Sequence, residues 1–251
     1  MPPFGIGMAA SGGAPAVNLG GPAPYSPFLH FDSRDAVGSG GLATSWTDRV
    51  RSLVLGPNIA SNGPLQDTTV VPGVQTLNYS TTAKNMRNSG LAGTGHLLPF
   101  ESNSPWTISC RIRWQTGSGN RRLYVIQDSG STNIVYSNFG SGDNVQNVRT
   151  VASATNLVTS SVVSENAWHS VVNRFDGSQL STFVDGASVA TPGTGGGTMS
   201  TGVLDLFCIG NHVTSFIQGA LAHIGSWIAW DRALSTTEIS GMTAYDAGIF
   251  A

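Results

Sequence analysis

With 251 residues, 40% of them hydrophobic, the chain can bury one large core or two small ones, which excludes global disorder. Only 10% of residues are charged; polarity comes from hydroxyls, amides and 32 glycines, as in β-rich surface proteins with many tight turns. The net charge of −2, no basic patch beyond Arg111, Arg113, Arg121 and Arg122, and no apolar run of membrane length argue against nucleic acid and membrane as partners.

Residues 1–27 are rich in Gly, Ala and Pro (Gly12-Gly13-Ala14-Pro15, Gly20-Gly21-Pro22-Ala23-Pro24) and carry no hydrophobic period. Such a segment reads as an extended arm. It is expected to dock along a neighbouring subunit of an assembly rather than on its own domain. The start has neither a basic n-region nor an apolar h-region, so synthesis without export is expected. Residues 28–251 are expected to form one domain. It opens with a strand at Leu29-His30-Phe31-Asp32, continues through Ala43 to Arg49 around Trp46 and Asp48, and adds a strand over Val70 to Leu77.

Trp106 to Trp114 alternates strictly. Trp106, Ile108, Cys110, Ile112 and Trp114 share one face; Thr107, Ser109, Arg111 and Arg113 share the other. Period two predicts a half-buried strand with the arginines on its solvated face. Thr116 to Asn120 predicts a turn into a strand at Leu123 to Ile126, with further short strands at Ile134 to Tyr136 and Val148 to Val151. Trp168 to Phe175, Asp176-Gly177, a second strand to Val184 and then Asp185-Gly186 predict a hairpin followed by another tight turn. Asp-Gly between apolar strands favours type I′ turns, with positive φ at both central residues.

Leu204 to Gly210, Gly219 to Ile224 and the segment from Trp227 predict the last strands. Ser235-Thr236-Thr237-Glu238 is a capping box, with Leu234 and Ile239 placed for a hydrophobic staple. A helix therefore starts at Thr236 and fades before Gly248. Cys110 and Cys208 lie far apart in apolar strand patterns and fit no metal spacing; buried thiols and a disulfide both remain open.

The run Ala167-Trp168-His169, Phe175-Asp176-Gly177-Ser178 and Phe183-Val184-Asp185-Gly186 resembles the "WHhvavtyDG…lYvDG" core of laminin-G-like (concanavalin-A-like) jelly rolls. The Trp106 strand is similar to the family's "fTisfWvk" strand, and Trp227 to Ser235 to its closing "iynRaLs". The motif residues are Trp168, Asp176, Gly177, Asp185, Gly186, Ser235 and Glu238. Two residues stand extra between Ile224 and Trp227, which a β-bulge would absorb. Asn173 departs from an apolar family position and His223 from a frequently acidic one. The resemblance implies an all-β laminin-G-like jelly-roll sandwich with an extended N-terminal arm and a short C-terminal helix. It further implies a non-enzymatic virion structural protein of a tailed phage (head decoration, fibre or tail component), docked through its arm on neighbouring virion proteins or on copies of itself. The alternative is a carbohydrate-binding adhesion module that recognises host surface glycans.

Glycoside hydrolysis needs two carboxyls flanking one bond. Glu101, Glu165 and Glu238 are far apart, and no Glu-x-Asp-x-Glu occurs. No Gly-x-Ser-x-Gly elbow occurs either, and the five histidines show no zinc spacing, so no enzyme is expected. Tyr124, Tyr136 and Phe139, near loop-rich segments, are candidate sugar-stacking residues. The resemblance implies calcium held by loop acids and amides, with Asp128, Asn133, Asp143 and Asn144 as candidate ligands. The same residues also occur in turns simply because they cap their own backbone.

Overall fold

The alternating segments form the two antiparallel sheets of a sandwich in the computed structural model, which describes residues 25–81, 83–101, 103–115, 121–140, 144–152, 154–189, 193–194, 199, 203–211 and 219–250. The arm expected over residues 1–27 lies outside them except for its last three residues, and so does the turn expected at 116–120. In chain order the strands are β1 (Leu29–Asp32), β2 (Val37–Ser39), β3 (Leu42–Thr47), β4 (Val54–Leu55), β5 (Leu65–Asp67), β6 (Thr76–Asn78), β7 (Met86–Asn88), β8 (Trp106–Trp114), β9 (Arg121–Gln127), β10 (Ile134–Phe139), β11 (Asn144–Val151), β12 (Ala154–Val162), β13 (Trp168–Phe175), β14 (Gln179–Val184), β15 (Ala187–Ser188), β16 (Gly193–Thr194), β17 (Leu206–Ile209) and β18 (Ala222–Trp230). A short turn of helix, α1 (Leu98–Glu101), precedes β8, and α2 (Thr236–Ile249) follows β18.

The larger sheet has the order β15-β14-β13-β8-β18-β6-β5-β3-β2, with β1 also paired to β18, β16 to β14 and β4 to β3. The smaller has the order β12-β11-β10-β9-β17-β7. Inward side chains of both meet in one core; Trp227 and Ala229 of β18 belong to it. Ile228 and Trp230, on the opposite face of β18, pack with Val172, Phe183, Leu234, Ile239 and Met242 beneath α2.

That second layer overturns the solvated face expected for β8. The strand is central, between β13 and β18, and α2 covers part of its outer face. Arg111 is therefore buried, donating to Phe250 O at 3.1 Å and Ser170 Oγ at 3.3 Å. The strand expected from Val70 is also shortened: only Thr76–Asn78 pairs. Pro72-Gly73 makes a turn instead, with Gly73 at φ 76° and Val74 N donating to Val71 O at 3.0 Å, as Pro followed by a positive-φ Gly favours.

The two Asp-Gly turns differ. Asp185 and Gly186 both have positive φ (50° and 82°) and join Val184 to its cross-strand partner Ala187, the I′ arrangement. At Asp176-Gly177 only the glycine is positive, at 101°. There the Asp176 carboxylate accepts from Ser178 N at 2.9 Å and Gln179 N at 2.7 Å, so the side chain closes a longer loop. The extra residues before Trp227 are indeed a bulge: the register of β18 against β8 shifts between Ile224 and Ser226. Gly225 sits in it, and a Cβ there would fall 2.8 Å from the Phe250 ring.

The capping box forms, Ser235 Oγ accepting from Glu238 N and Glu238 Oε2 accepting from Ser235 N at 2.8 Å. The helix runs two residues further than expected, to Ile249, because Ile249 and Phe250 are buried. Ser235→Ala is expected to lower stability by about 1 kcal/mol in urea denaturation, the usual worth of such a cap. Cys110 and Cys208 are free thiols. Cys110 lies in the main core, Cys208 in a separate cluster with Val125 and Ile134, and burial pushes the Cys208 thiol up to about 12.

Candidate functional site

Of the three aromatics expected to stack on sugars, two are interior. Phe139 lies 3.9 Å from Trp114, ring centre to ring centre. Tyr124 packs edge-on against Trp227, and its hydroxyl accepts from Asn173 Nδ2 at 3.1 Å. Neither ring offers a face to a ligand. Tyr124 on β9 and Phe139 on β10 both point into the core, where the other sheet covers them. The Tyr124 contact also explains why a polar Asn173 stands at an apolar family position: it forms a polar crossbar between the sheets. A second crossbar, Asn147 Nδ2 to Thr182 Oγ1 at 2.7 Å, lies beside it. Tyr136 is half-buried, with the Arg122 guanidinium 3.4 Å over its ring.

Of the residues expected to bind calcium, Asp128 and Asn133 already meet hydrogen-bond partners in and beside their own turn. Asp128 Oδ1 accepts from Thr132 N at 2.8 Å. Its Oδ2 accepts from Thr132 Oγ1 at 2.6 Å, Asn133 N at 3.1 Å and Asn133 Nδ2 at 2.7 Å. Burial works to raise this carboxyl, but those hydrogen bonds outweigh it and hold it below the ordinary range. Asn133 Oδ1 accepts from Ala152 N at 3.2 Å. The group therefore staples the β9–β10 turn with its own donors. Asn144 lies within β11, and Asp143 lies outside the described residues. Among the described residues no three His, Cys, Asp or Glu side chains gather as a metal site would require.

His223 is buried on β18, with Nε2 at 2.9 Å from Gln115 Nε2 and Nδ1 facing Thr76 Oγ1 at 3.4 Å. Burial lowers its pKa, so it is a neutral, hydrogen-bonded strand residue. Asp48 of the Trp46 segment accepts from His30 N and from Arg51 N, both at 2.5 Å, while Trp46 Nε1 donates to Asp32 O at 2.6 Å. That motif ties β1 to β3.

The open site is elsewhere. A groove of about 440 Å³ lies where β4, from the larger sheet, meets β7, the edge of the smaller one. Gly56 and Arg87 join the two by a bridge, Gly56 N to Arg87 O at 3.0 Å and Arg87 N to Gly56 O at 2.7 Å. Val54 and Pro57 give the lining an apolar side; Asn58, Arg87, Asn88 and Ser89 give it a polar one. Asn88 Nδ2 donates to Val54 O at 2.7 Å, which fixes that amide. Asn58 is held by an amide cluster anchored on the buried Asn85: its N donates to Asn85 Oδ1 at 3.0 Å, and its Oδ1 accepts from Asn85 Nδ2 at 2.7 Å and Asn62 Nδ2 at 3.0 Å. Val54 is 45% exposed and the nearby Ile59 59%, so apolar surface extends past the groove. A guanidinium, amides and a hydroxyl beside an apolar shelf can meet hydroxyl groups and a flat C–H face together. No motif announced these residues, because two separate segments supply them and only the fold brings them together.

The family described as the concanavalin A-like lectin/glucanases superfamily matches residues 85–240. No curated protein sequence matches the chain. Among solved structures, a Trypanosoma rangeli sialidase in complex with sialic acid is similar at a TM-score of 0.64 and 16% identity, over 88% of this chain and 33% of that one. The chain thus spans about a third of the length of the sialidases it matches. Domain 4 of an extracellular arabinanase from Geobacillus stearothermophilus, in complex with arabinotriose, is similar at a TM-score of 0.53 and 12% identity, over 87% of this chain and 98% of that domain.

Proposed function

The chain belongs to the concanavalin A-like lectin/glucanase superfamily, and on that premise we propose that it is a glycan-binding module that takes a saccharide in the groove between β4 and β7. The observation that carries this reading is the groove itself, in which Arg87, Asn88 and Ser89 stand opposite an apolar Val54–Pro57 side. An arabinanase domain of the same extent, in complex with arabinotriose, supports it.

The reading includes no glycoside hydrolysis. Glu101 is buried and accepts from Leu204 N at 3.1 Å, while Glu238 is held by Arg232 Nη2 at 2.7 Å and by the helix cap. No carboxylate is among the residues that line the groove, whereas hydrolysis needs two. Virion adhesion remains a fitting setting for such a module.

A glycan array followed by titration of the best saccharide tests the proposal. Asn88→Ala and Arg87→Ala are each expected to weaken that saccharide about tenfold, the worth of one good hydrogen bond. A chain that binds no saccharide, or whose binding ignores both changes, loses this reading and is left with a scaffolding role, checked by mass spectrometry of purified particles.

A further inference from the structure

We propose that Ser164, His169 and Asp185 form a nucleophile, base and orienting carboxylate that transfer small acyl groups from esters. Ser164 Oγ stands 2.8 Å from His169 Nε2, and His169 Nδ1 stands 2.7 Å from Asp185 Oδ2. The two ring nitrogens are used in the order serine acyl transfer requires: Nε2 faces the hydroxyl and Nδ1 the carboxylate. The motif is recognised by such geometry rather than by chain order or by a Gly-x-Ser-x-Gly elbow.

The hairpin builds this chain of contacts. His169 is the second residue of β13, and Asp185 is the first residue of the type I′ turn after β14. Asp185 Oδ1 accepts from Ser170 N at 2.9 Å, and Asp185 N donates to Ser170 O at 2.9 Å, so the carboxylate is anchored while its second oxygen meets the imidazole. Burial works to raise the Asp185 carboxyl, but the hydrogen bonds from His169 and Ser170 N outweigh it and keep the group ionised. Ser164 is exposed, so an ester can reach its Oγ. Arg113 Nε donates to Asn166 O at 3.1 Å, which brings a guanidinium to the turn that follows Ser164. A cation there suits the charge that builds on an attacked carbonyl oxygen.

In the reaction, Ser164 Oγ bonds to the ester carbonyl carbon and its proton passes to His169 Nε2. The bond to the alcohol oxygen breaks, and the alcohol leaves with that proton. Water, deprotonated by His169, then attacks the acyl-serine, releasing the carboxylic acid and restoring Ser164. Ser164 and His169 are the catalytic residues; Asp185 is a positioning residue. The site is open, which suits a small acyl group, and it is built from residues distinct from those lining the groove.

The test is acylation by p-nitrophenyl acetate, followed as p-nitrophenolate release and as an acetyl mass increment on the Ser164 peptide. Ser164→Ala, which removes one exposed hydroxyl, is expected to abolish the increment. His169→Gln is expected to slow it about a hundredfold, the low end of general-base catalysis. Asp185→Asn keeps an oxygen for Ser170 N and is expected to slow the acylation rate constant more than tenfold at an unchanged KM for the ester, a split that a purely structural role would not give. Acetylation of Ser164 no faster than of other exposed serines, or at the same rate in His169→Gln, would overturn the proposal.

Discussion

Trp227→Ala is expected to cost about 3–5 kcal/mol, a large share of the stability of any single domain. Trp227 is fully buried on β18, the strand that pairs with β1, β6 and β8. Its ring meets Phe207 of β17 at 4.7 Å, Tyr124 of β9 at 5.8 Å and Phe31 of β1 at 6.1 Å between centres. Phe207 and Tyr124 come from the smaller sheet, so this one indole joins the two layers. Truncation removes its buried area and leaves a cavity whose walls are strands, which collapse poorly. Trp227→Phe is expected to cost much less: it keeps a ring, and the indole Nε1 it deletes has no hydrogen-bond partner among the described residues. Urea denaturation of both variants checks this. Equal losses would show that the indole's extra volume, not the aromatic bridge, holds the sheets together.

What could be read before the structure was what depends on near neighbours in sequence. Asp185-Gly186 specifies its turn by its own φ angles, Ser235 and Glu238 cap each other within one turn, and the alternation of Trp106 to Trp114 gives its strand to the residue. The failures share a cause. Arg111 obeys period two, but period two does not tell whether a helix over a hundred residues later covers the second face. Tyr124 and Phe139 sit near loops in sequence yet point between the sheets. Residues 154–162 form β12 although Ser, Thr and Asn interrupt their apolar pattern; pairing with β11 supplies what the pattern lacks. The groove was illegible for the same reason, since β4 and β7 belong to different sheets. Ser164, His169 and Asp185 were half legible. His169 and Asp185 lie within the family-like hairpin, and the antiparallel register of β13 on β14 brings the start of one strand beside the end of the other.

Asp246→Asn is expected to remove a pH dependence of about 4 kcal/mol. Asp246 is fully buried in α2, accepting from Ser226 Oγ at 3.0 Å, and its Oδ2 has no hydrogen-bond partner among the described residues. Burial pushes its carboxyl up to about 7; the Ser226 hydrogen bond and the Arg111 charge oppose this, and the Asp32 charge adds to it. In the unfolded chain the group titrates near 3.8. Folding therefore favours the protonated form. The stability it contributes is complete below about pH 4, falls as pH rises towards 7 and is flat above, which integrates to about 4 kcal/mol. His30 works the other way: burial lowers it to about 4, so the unfolded state binds the extra proton and stability rises with pH between about 4 and 6.5. The wild-type profile alone therefore mixes two opposed slopes. The difference between wild type and Asp246→Asn separates them, because His30 is common to both. Denaturation at pH 4.5, 6 and 8 is expected to show the variant gaining on the wild type at each step. A constant difference would mean that Arg111 holds Asp246 ionised throughout, and that the carboxylate secures α2 as half of a buried ion pair.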